Sequence, residues 1–412
     1  MERLRFIHAA DLHLDSPFKG MENEIPQDLF TRMKESTFRS FSRIVQVAIE
    51  EKVDFILLAG DLYDLETRSL RAQLFLRNEF QLLDEHRIPV YIIHGNHDHL
   101  GGHFAEMKFP PNVAVFEKDR VEYKPFYKNN QLLAYIYGFS YLQQAVLENM
   151  TSQYEKTEQA PYHIGMLHGS VEEASDHSRY APFLVRELLD KQFHYWALGH
   201  IHKRNVLNEQ PPIIYSGNIQ GRHRKETGEK GCYLVTLEGS SASHTFIPTA
   251  DVIWEEASIS IEGLQHVDEL LARSYSMKNE LRRKDEGTLV VLTFTGCGEL
   301  STYLQDQKQL EELVQQLQTE ETGEQFVYVV KCYNHTLSND ALETMKQESH
   351  FIGELLQEVE SYSYLDSIMR PLRQPASAKG IEEFTEEEKD EIVQEAKRII
   401  LRELVAERGD MQ

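Results

Sequence analysis

Three cysteines are all that this chain of 412 residues contains, and Cys232, Cys297 and Cys332 are odd in number and widely spaced. That argues against a disulfide framework or a thiolate metal cage and suits a reducing cytoplasm. Long apolar runs are missing as well. No stretch approaches the roughly 18–20 residues of a membrane span. The opening MERLRFIHAADLH leads straight into a strand without the basic and apolar blocks of a secretory signal, so a cytoplasmic protein with no membrane association is expected. Positive charge is scarce: 43 Lys and Arg face 67 Asp and Glu, a net charge of −24. The deficit is uneven. Residues 1–250 hold 27 basic and 33 acidic side chains (−6), and residues 251–412 hold 16 and 34 (−18). Such a chain does not draw in nucleic acid by long-range steering, so a nucleic-acid role requires metal ions, a local basic patch or a partner.

What is present is ordinary globular composition, with 41% hydrophobic and 27% charged residues over a length that implies two or three domains. Strand and helix signals alternate over residues 1–250. Apolar strands are expected at 3–9, in VDFILLAG, VYIIHG, QLLAYIYGF, YHIGMLHG, YWALGH, PIIYSG, GCYLVTLEG and HTFIP. Helices are expected near 29–51 and 68–86. This is an α/β pattern, and the strand-rich later part favours a two-sheet sandwich over one parallel sheet. A boundary falls near 249–251. A small α/β domain is expected at 251–336, with strands in VIWEEASISI, GTLVVLTFTG and FVYVVKCY and helices near 266–283 and 306–318. A helical region is expected at 337–412. There Phe351, Leu355, Val359, Tyr362, Leu365 and Met369 recur at helical spacing, PLRQPASAKG interrupts, and Thr385 with Glu388 forms a capping-box pattern.

Five polar signatures follow apolar strands: Asp11-Leu-His13, Gly60-Asp61-Leu-Tyr-Asp64, Gly95-Asn96-His97-Asp98, His168 in GMLHGS, and Gly199-His200-Ile-His202. Ligands of open α/β sheets gather at carboxyl ends of strands. Residues two apart on an extended chain share a side, so Asp11 with His13, and His200 with His202, are expected to grip one ion each time. One such pair alone is commonly a turn or a surface pair, and Asn-His-Asp makes good turns. The ordered set of five is what argues for chemistry. Asp11, His13, Asp61, Asn96, His168, His200 and His202 offer carboxylate, imidazole and amide but no thiolate, which suits Mn²⁺, Fe²⁺ or Zn²⁺ in a reactive site. Seven ligands are too many for one tetrahedral ion and suit two ions sharing a carboxylate, the arrangement of hydrolytic phosphoryl chemistry. A basic cluster, Arg222, His223, Arg224 and Lys225, follows the last ligand pair, with Lys203 and Arg204 upstream. It suits contacts to a phosphate backbone.

The ordered set D-x-H, G-D-x-x-D, G-N-H-D, a lone His and G-H-x-H resembles the calcineurin-like metallophosphoesterases. Through HAADLHLDSPF, GDLYD and GHIHK it resembles most the SbcD-like DNA-repair nucleases, and among those the YhaO type. That resemblance implies a four-layer α-β-β-α metallophosphoesterase sandwich with a small α/β capping domain and C-terminal helices. It implies one ion held by Asp11, His13, Asp61 and His202. A second would be held by Asp61, Asn96, His168 and His200, with manganese the first choice among manganese, magnesium, iron and zinc. His97 matches the family's catalytic histidine, with Asp98 orienting it. Asp64 would stand behind the ligands or face substrate. The implied function is DNA phosphodiester hydrolysis, exonuclease and possibly endonuclease, beside an SbcC-like coiled-coil ATPase docked on the C-terminal helices. A homodimer is also implied, with Leu70, Leu74, Phe75 and Phe80 as candidate contacts. The competing readings are a phosphatase or cyclic-nucleotide phosphodiesterase on the same scaffold, and a metal-stabilised regulator without catalysis. His94 is expected to be packed or hydrogen-bonded, and His99 to belong to the loop.

Overall fold

The structure, a computed structural model, describes residues 2–64, 68–102, 107–157, 159–172, 180–319, 321 and 323–339. The apolar stripe, the capping box and the ATPase-docking helices expected beyond 339 lie outside the described residues.

Two six-stranded sheets are stacked face to face. The first is built from β1 (Leu4–Ala9), β2 (Phe55–Ala59), β3 (Val90–Ile93) and β4 (Val113–Val115), all parallel, extended by antiparallel β11 (Gly231–Glu238) and β12 (Ser241–Pro248). Its order is β12-β11-β1-β2-β3-β4. The second takes β5 (Glu122–Lys128), β6 (Gln131–Gly138), β7 (Tyr162–His168), β8 (Tyr195–Gly199), β9 (Asn205–Glu209) and β10 (Pro212–Tyr215) in the order β5-β6-β7-β8-β10-β9. Its central four strands are parallel.

Alternation along each strand explains the layers. On β1, Leu4 and Phe6 face inward and join Phe55, Leu57, Tyr91 and Ile93 against Ile136, Ile164, Met166, Tyr195 and Ile214 of the second sheet. Ile7 and Ala9 point the other way. With Ile56, Leu58 and Ile92 they bury the apolar faces of α1 (Gln27–Glu50) and α2 (Leu70–Glu85), chiefly through Phe38, Phe41, Ile44, Leu76 and Phe80. The outer face of the second sheet is covered differently. Trp196, Tyr137, Leu198 and Tyr215 pack under Tyr154, Phe183, Phe193 and Leu188, the last on the six-residue helix α3 (Val185–Asp190). The expected four-layer α-β-β-α sandwich is therefore present, with a thin fourth layer made mainly of aromatic loop residues.

The chain partitions into two compact units, one of residues 1–255, 282–289 and 322–330, the other of 256–281, 290–321 and 331–412. A three-stranded sheet runs in the order β13 (Val252–Ser260), β14 (Gly287–Thr295), β15 (Val327–Asn334). In the first unit, Asp251 is fully buried and takes the guanidinium groups of Arg32 and Arg43, each at 3.0 Å. In the second, α4 (Val267–Leu281), α5 (Leu300–Gln305) and α6 (Gln307–Gln318) bury Leu270, Leu304, Leu313 and Leu317, and Lys278 pairs with Glu321 at 2.7 Å. Among the described residues no helix is long and apolar enough to cross a membrane.

Phe80 lies in the core against Phe41 and Phe109, so it offers nothing to a partner molecule. Phe75 sets its ring edge against Phe38 and Phe41, whereas Leu70 is 65% exposed.

Candidate metal centre

All five signatures converge where parallel strands of both sheets end. Asp11 and His13 follow β1, Asp61 and Asp64 follow β2, and Asn96 and His97 follow β3. His168 is the last residue of β7, and His200 and His202 follow β8. Asp11, His13, Asp61 and His168 are all but inaccessible to solvent.

The local backbone differs from the extended geometry expected for the i, i+2 pairs. Asp11 and His13 have φ of 51° and 43°, Asp61 has 51° and His200 96°, all left-handed. The reason lies in main-chain pairing beyond the strands. Asp11 N donates to Gly60 O, His13 N to Asp61 O and Leu14 N to Leu62 O, each at 3.0 Å. The segments after β1 and β2 stay zipped while turning, and Asp and His tolerate the left-handed region better than most residues.

The donor atoms form overlapping groups. His13 Nε2 and His202 Nε2 face each other at 3.1 Å, and Asp11 completes that cluster. His168 Nε2 lies 3.0 Å from Asn96 Oδ1 and 3.4 Å from Asp61 Oδ2. His200 Nδ1 is 3.2 Å from the same Asn96 oxygen, and its backbone N–H donates to Asp11 at 3.0 Å. Asp61 also lies 3.9 Å from His13 Nε2, so it stands between the two groups. Gly95 leaves room for this: a Cβ there would sit 2.4 Å from Asp61 Oδ1 and 2.6 Å from His168 Nε2.

These residues fit divalent cations. Burial lowers His13, Arg222 lowers it further, and despite the Asp64 contact it falls to about 3, leaving a neutral imidazole whose Nδ1 has no hydrogen-bond partner. Burial would also depress His168, but the Asp61 charge and contact, then Asp11, raise it to about 9. Burial raises Asp11, and Asp61 adds to the rise. Asp61 itself is held well below its usual value because His168, His13 and His97 outweigh its burial. A buried carboxylate pair that retains a proton on a neighbouring imidazole is a place where cations replace protons.

Two supports were not anticipated from sequence. His168 Nδ1 sits 3.0 Å from Ala59 O, which directs its Nε2 to the cluster. His202 Nδ1 sits 2.6 Å from Glu226 Oε1, while Glu226 Oε2 accepts from Asn218 Nδ2 at 2.8 Å and Arg222 N at 2.7 Å. Histidine ligands ordinarily need such a partner on the other ring nitrogen, and a search for one would have singled out Glu226 within the basic loop.

The expected link from Asp98 to His97 is replaced by another. Asp98 is fully buried, and its oxygens accept from Leu62 N at 2.9 Å and Gly95 N at 2.8 Å and lie 2.8 Å from His94 Nδ1. Its side chain points back and ties the turn, through the Gly95 N–H, to the segment after β2, through the Leu62 N–H. His97 turns the other way. Its N–H donates to Asp61 Oδ1 at 3.0 Å, and its Nδ1 lies 3.0 Å from the main-chain oxygen of Asp64. One nitrogen of His97 groups with donor atoms of His13 and Asp61, all within 4.8 Å of one another, so proximity alone does not separate it from the candidate metal ligands. His94 is buried and hydrogen-bonded as expected. His99 is buried too, and its carbonyl accepts from Arg68 at 3.3 Å.

The basic candidates separate. Lys203, Arg204 and Lys225 are exposed and Arg224 is half-buried. Arg204 lays its guanidinium 4.0 Å over Phe246. Arg222 turns inward and pairs with the Asp64 carboxylate, which also lies 3.5 Å from His13 Nδ1.

The model of the calcineurin-like phosphoesterase family matches residues 4–204, the span that carries every strand end described above. The uncharacterized metallophosphoesterase YhaO of Bacillus subtilis is 40% identical over 403 residues, covering 97% of this chain and 98% of that one. This chain is a calcineurin-like metallophosphoesterase. Metallophosphoesterases of this family are hydrolases that use divalent metal ions. Two more distant relatives are archaeal proteins named DNA double-strand break repair protein Mre11. The one from Sulfurisphaera tokodaii is 26% identical, covering 58% of this chain and 61% of its own. The one from Methanocaldococcus jannaschii is 25% identical, covering 67% and 75%.

Proposed function

We propose that this metallophosphoesterase is a two-metal-dependent DNA phosphodiester hydrolase, an exonuclease with endonuclease action open to test, that serves DNA repair in the cytoplasm. The observation that carries the reading is the convergence of seven buried or half-buried O and N donors at five strand ends, with His97 beside them. The double-strand-break-repair name of the archaeal relatives favours DNA over a small ester. Asp11, His13, Asp61 and His202 would hold one ion, and Asp61, Asn96, His168 and His200 the other, with manganese the favoured metal. Ions held there would supply charge to neutralise the phosphodiester oxygens and to make water nucleophilic at neutral pH.

The chain's own residues do the rest. Asp61 ties the two donor groups together and also receives the His97 N–H, so metal binding and acid placement share one side chain. A carbonyl only accepts, so His97 carries its hydrogen on Nδ1 toward Asp64 O, and Nε2 is left to deliver a proton. As the P–O bond breaks, a protonated His97 gives that proton to the departing ribose oxygen, a contribution typically of about 10²–10⁴-fold. Asp98 acts one step removed, by closing the turn that presents His97. Lys203, Arg204, Arg224 and Lys225 offer exposed or half-exposed cations to the DNA backbone. An SbcC-like ATPase would supply the affinity that a chain of −24 lacks, and a homodimer would use the exposed start of α2 around Leu70.

The test incubates the purified chain with Mn²⁺, Mg²⁺ or EDTA on linear duplex DNA, single-stranded DNA and a small phosphodiester. Metal-dependent loss of DNA, abolished in His97→Ala with metal content unchanged, is expected. Turnover of the small ester alone would replace this reading with the phosphatase or phosphodiesterase one. Inactivity with every metal, even with the coiled-coil ATPase added, would leave a non-catalytic regulator.

A further inference from the structure

We propose that Arg222 is a positioning residue for His97, acting through Asp64, rather than a contact to DNA. This rests on the reading of His97 as the proton donor.

Arg222 lies in the basic loop, but its side chain is only 17% exposed and its guanidinium is paired with the Asp64 carboxylate, itself 11% exposed. The loop is anchored where Arg222 leaves it. Arg222 N donates to Glu226 Oε2 at 2.7 Å, Asn218 N donates to His202 O at 3.2 Å, and Gly221 packs so closely that a Cβ would meet Glu226 O at 2.7 Å. The guanidinium is thus presented from a fixed base. On the other side, Asp64 offers two groups to the site. Its carboxylate lies between Arg222 and His13, and its main-chain oxygen is 3.0 Å from His97 Nδ1.

Asp64 needs that clamp. Its amide makes only a long 3.4 Å bond to Leu14 O, and its carboxylate is mostly buried. Without Arg222, a mostly buried carboxylate would lack its strongest cation and be drawn out to water, taking the Asp64 carbonyl with it. His97 would then lose the acceptor that sets its tautomer, the same logic by which partners behind other histidines set ring orientation. A guanidinium so engaged is a poor phosphate ligand, because DNA would have to break the pair first.

The test uses the full chain as Arg222→Ala, Arg222→Lys, Asp64→Asn and the Arg222→Ala/Asp64→Asn double variant, with thermal melts to confirm folding. Three readouts are taken: turnover of bis(p-nitrophenyl) phosphate at saturating metal, duplex-DNA affinity across a salt series, and histidine ¹⁵N spectra of the metal-free proteins with His97→Ala assigning the resonance. Turnover of the small ester should fall about 10–100-fold in Arg222→Ala, with DNA affinity and its salt slope unchanged. Lysine should restore part of it, and the double variant should be no worse than Arg222→Ala. The His97 Nδ1–H signal of the wild type should give way to mixed tautomers. Weaker DNA binding with a flatter salt slope and undiminished small-ester turnover would overturn the proposal. So would an unchanged His97 signal in Arg222→Ala. If the wild type cleaves neither substrate, the functional reading fails, and the spectra still decide whether Arg222 governs His97.

Discussion

Replacing Glu226 by Gln changes one oxygen to nitrogen at the point where His202 is held from behind. Both carboxylate oxygens are used: Oε1 lies 2.6 Å from His202 Nδ1, and Oε2 accepts from Asn218 Nδ2 and Arg222 N at 2.8 and 2.7 Å. The burial of Glu226 raises its pKa, but the bond and charge of His202, then Arg222, hold it far below its ordinary value, so the group acts as a pure acceptor. An amide has one acceptor oxygen and one donor nitrogen. If the nitrogen faces His202, Nδ1 must give up its proton and Nε2 takes it, which blocks the atom that faces His13. If the nitrogen faces the loop, it meets two other donors. The first arrangement keeps the hydrogen bonds but protonates the nitrogen that faces His13; the second leaves a buried donor unsatisfied, at a cost of about 1–3 kcal/mol in stability. Loss of such a partner behind a histidine ligand lowers metal affinity about 10–100-fold, equivalent to about 1.4–2.8 kcal/mol. The assay is competition between metal-stripped protein and a chelating indicator for Mn²⁺, for wild type, Glu226→Gln and, as control, the exposed neighbour Glu229→Gln. The tighter or the weaker of the sites should lose affinity in Glu226→Gln only. Equal affinities for all three folded proteins would refute the assignment of Glu226 to His202.

Gly60→Ala should lower metal content at the His168 group. Gly60 has φ of 94° and a Cβ would fall 2.3 Å from His168 Nδ1, so a backbone cost of about 1–2 kcal/mol adds to displacement of the ring; full metal occupancy and an unchanged Tm would contradict this. His8, buried between Tyr195 OH and Leu198 O, gives a pH effect away from the metal centre. Burial lowers it to about 3 against a smaller opposing push from Leu198. The unfolded chain binds that proton below about pH 6.5 and the folded one does not. Stability is therefore full above pH 6.5 and falls as pH drops toward 3, by up to about 1.4 kcal/mol per unit from this group. Urea titrations should give a shallower acid loss for His8→Gln; parallel curves would remove His8 as the cause. Phe80→Ala should cost about 3–5 kcal/mol as a core truncation, while Leu70→Ser should stay within about 0.5 kcal/mol and shift sedimentation toward monomer if α2 pairs copies of the chain.

The strands that place the centre were legible because each is an apolar run closed by Gly or Asp, and their periodicity is a local property. The expected helix at 29–51 is α1, and that at 68–86 is α2, within two residues at each end. What escaped was non-local. Strand β5 carries Pro125 and alternates Tyr and Lys, so it reads as polar loop until β6 pairs with it. The roles within GNHD depended on which way two adjacent side chains turn. Sequence spacing cannot show that Asp98 turns to His94 and the N–H groups of Gly95 and Leu62, while His97 meets a main-chain oxygen contributed 33 residues earlier. Glu226 was hidden by its company, one of two acids in a loop read for its cations.

A common cost runs through the centre. Asp11, His13, Asp61 and His200 all occupy left-handed backbone, where an L-residue costs roughly 1–2 kcal/mol. Strain of this kind persists only where the surroundings over-determine it. Here the determinants are visible. The three N–H to O bonds from Asp11, His13 and Leu14 to the segment after β2 carry the pairing of β1 and β2 past the ends of the sheet, and the His200 N–H is held by the Asp11 carboxylate. The framework under these strand ends is the interior between two sheets, with Phe6, Leu57, Ile164 and Ala197 fully buried. A rigid support of that kind lets four candidate ligands be held in uncommon conformations without any ion. The geometry that brings Asp61 to both donor groups is thus a property of the folded chain. Removing metal should therefore leave the sandwich folded and change mainly the protonation of the centre.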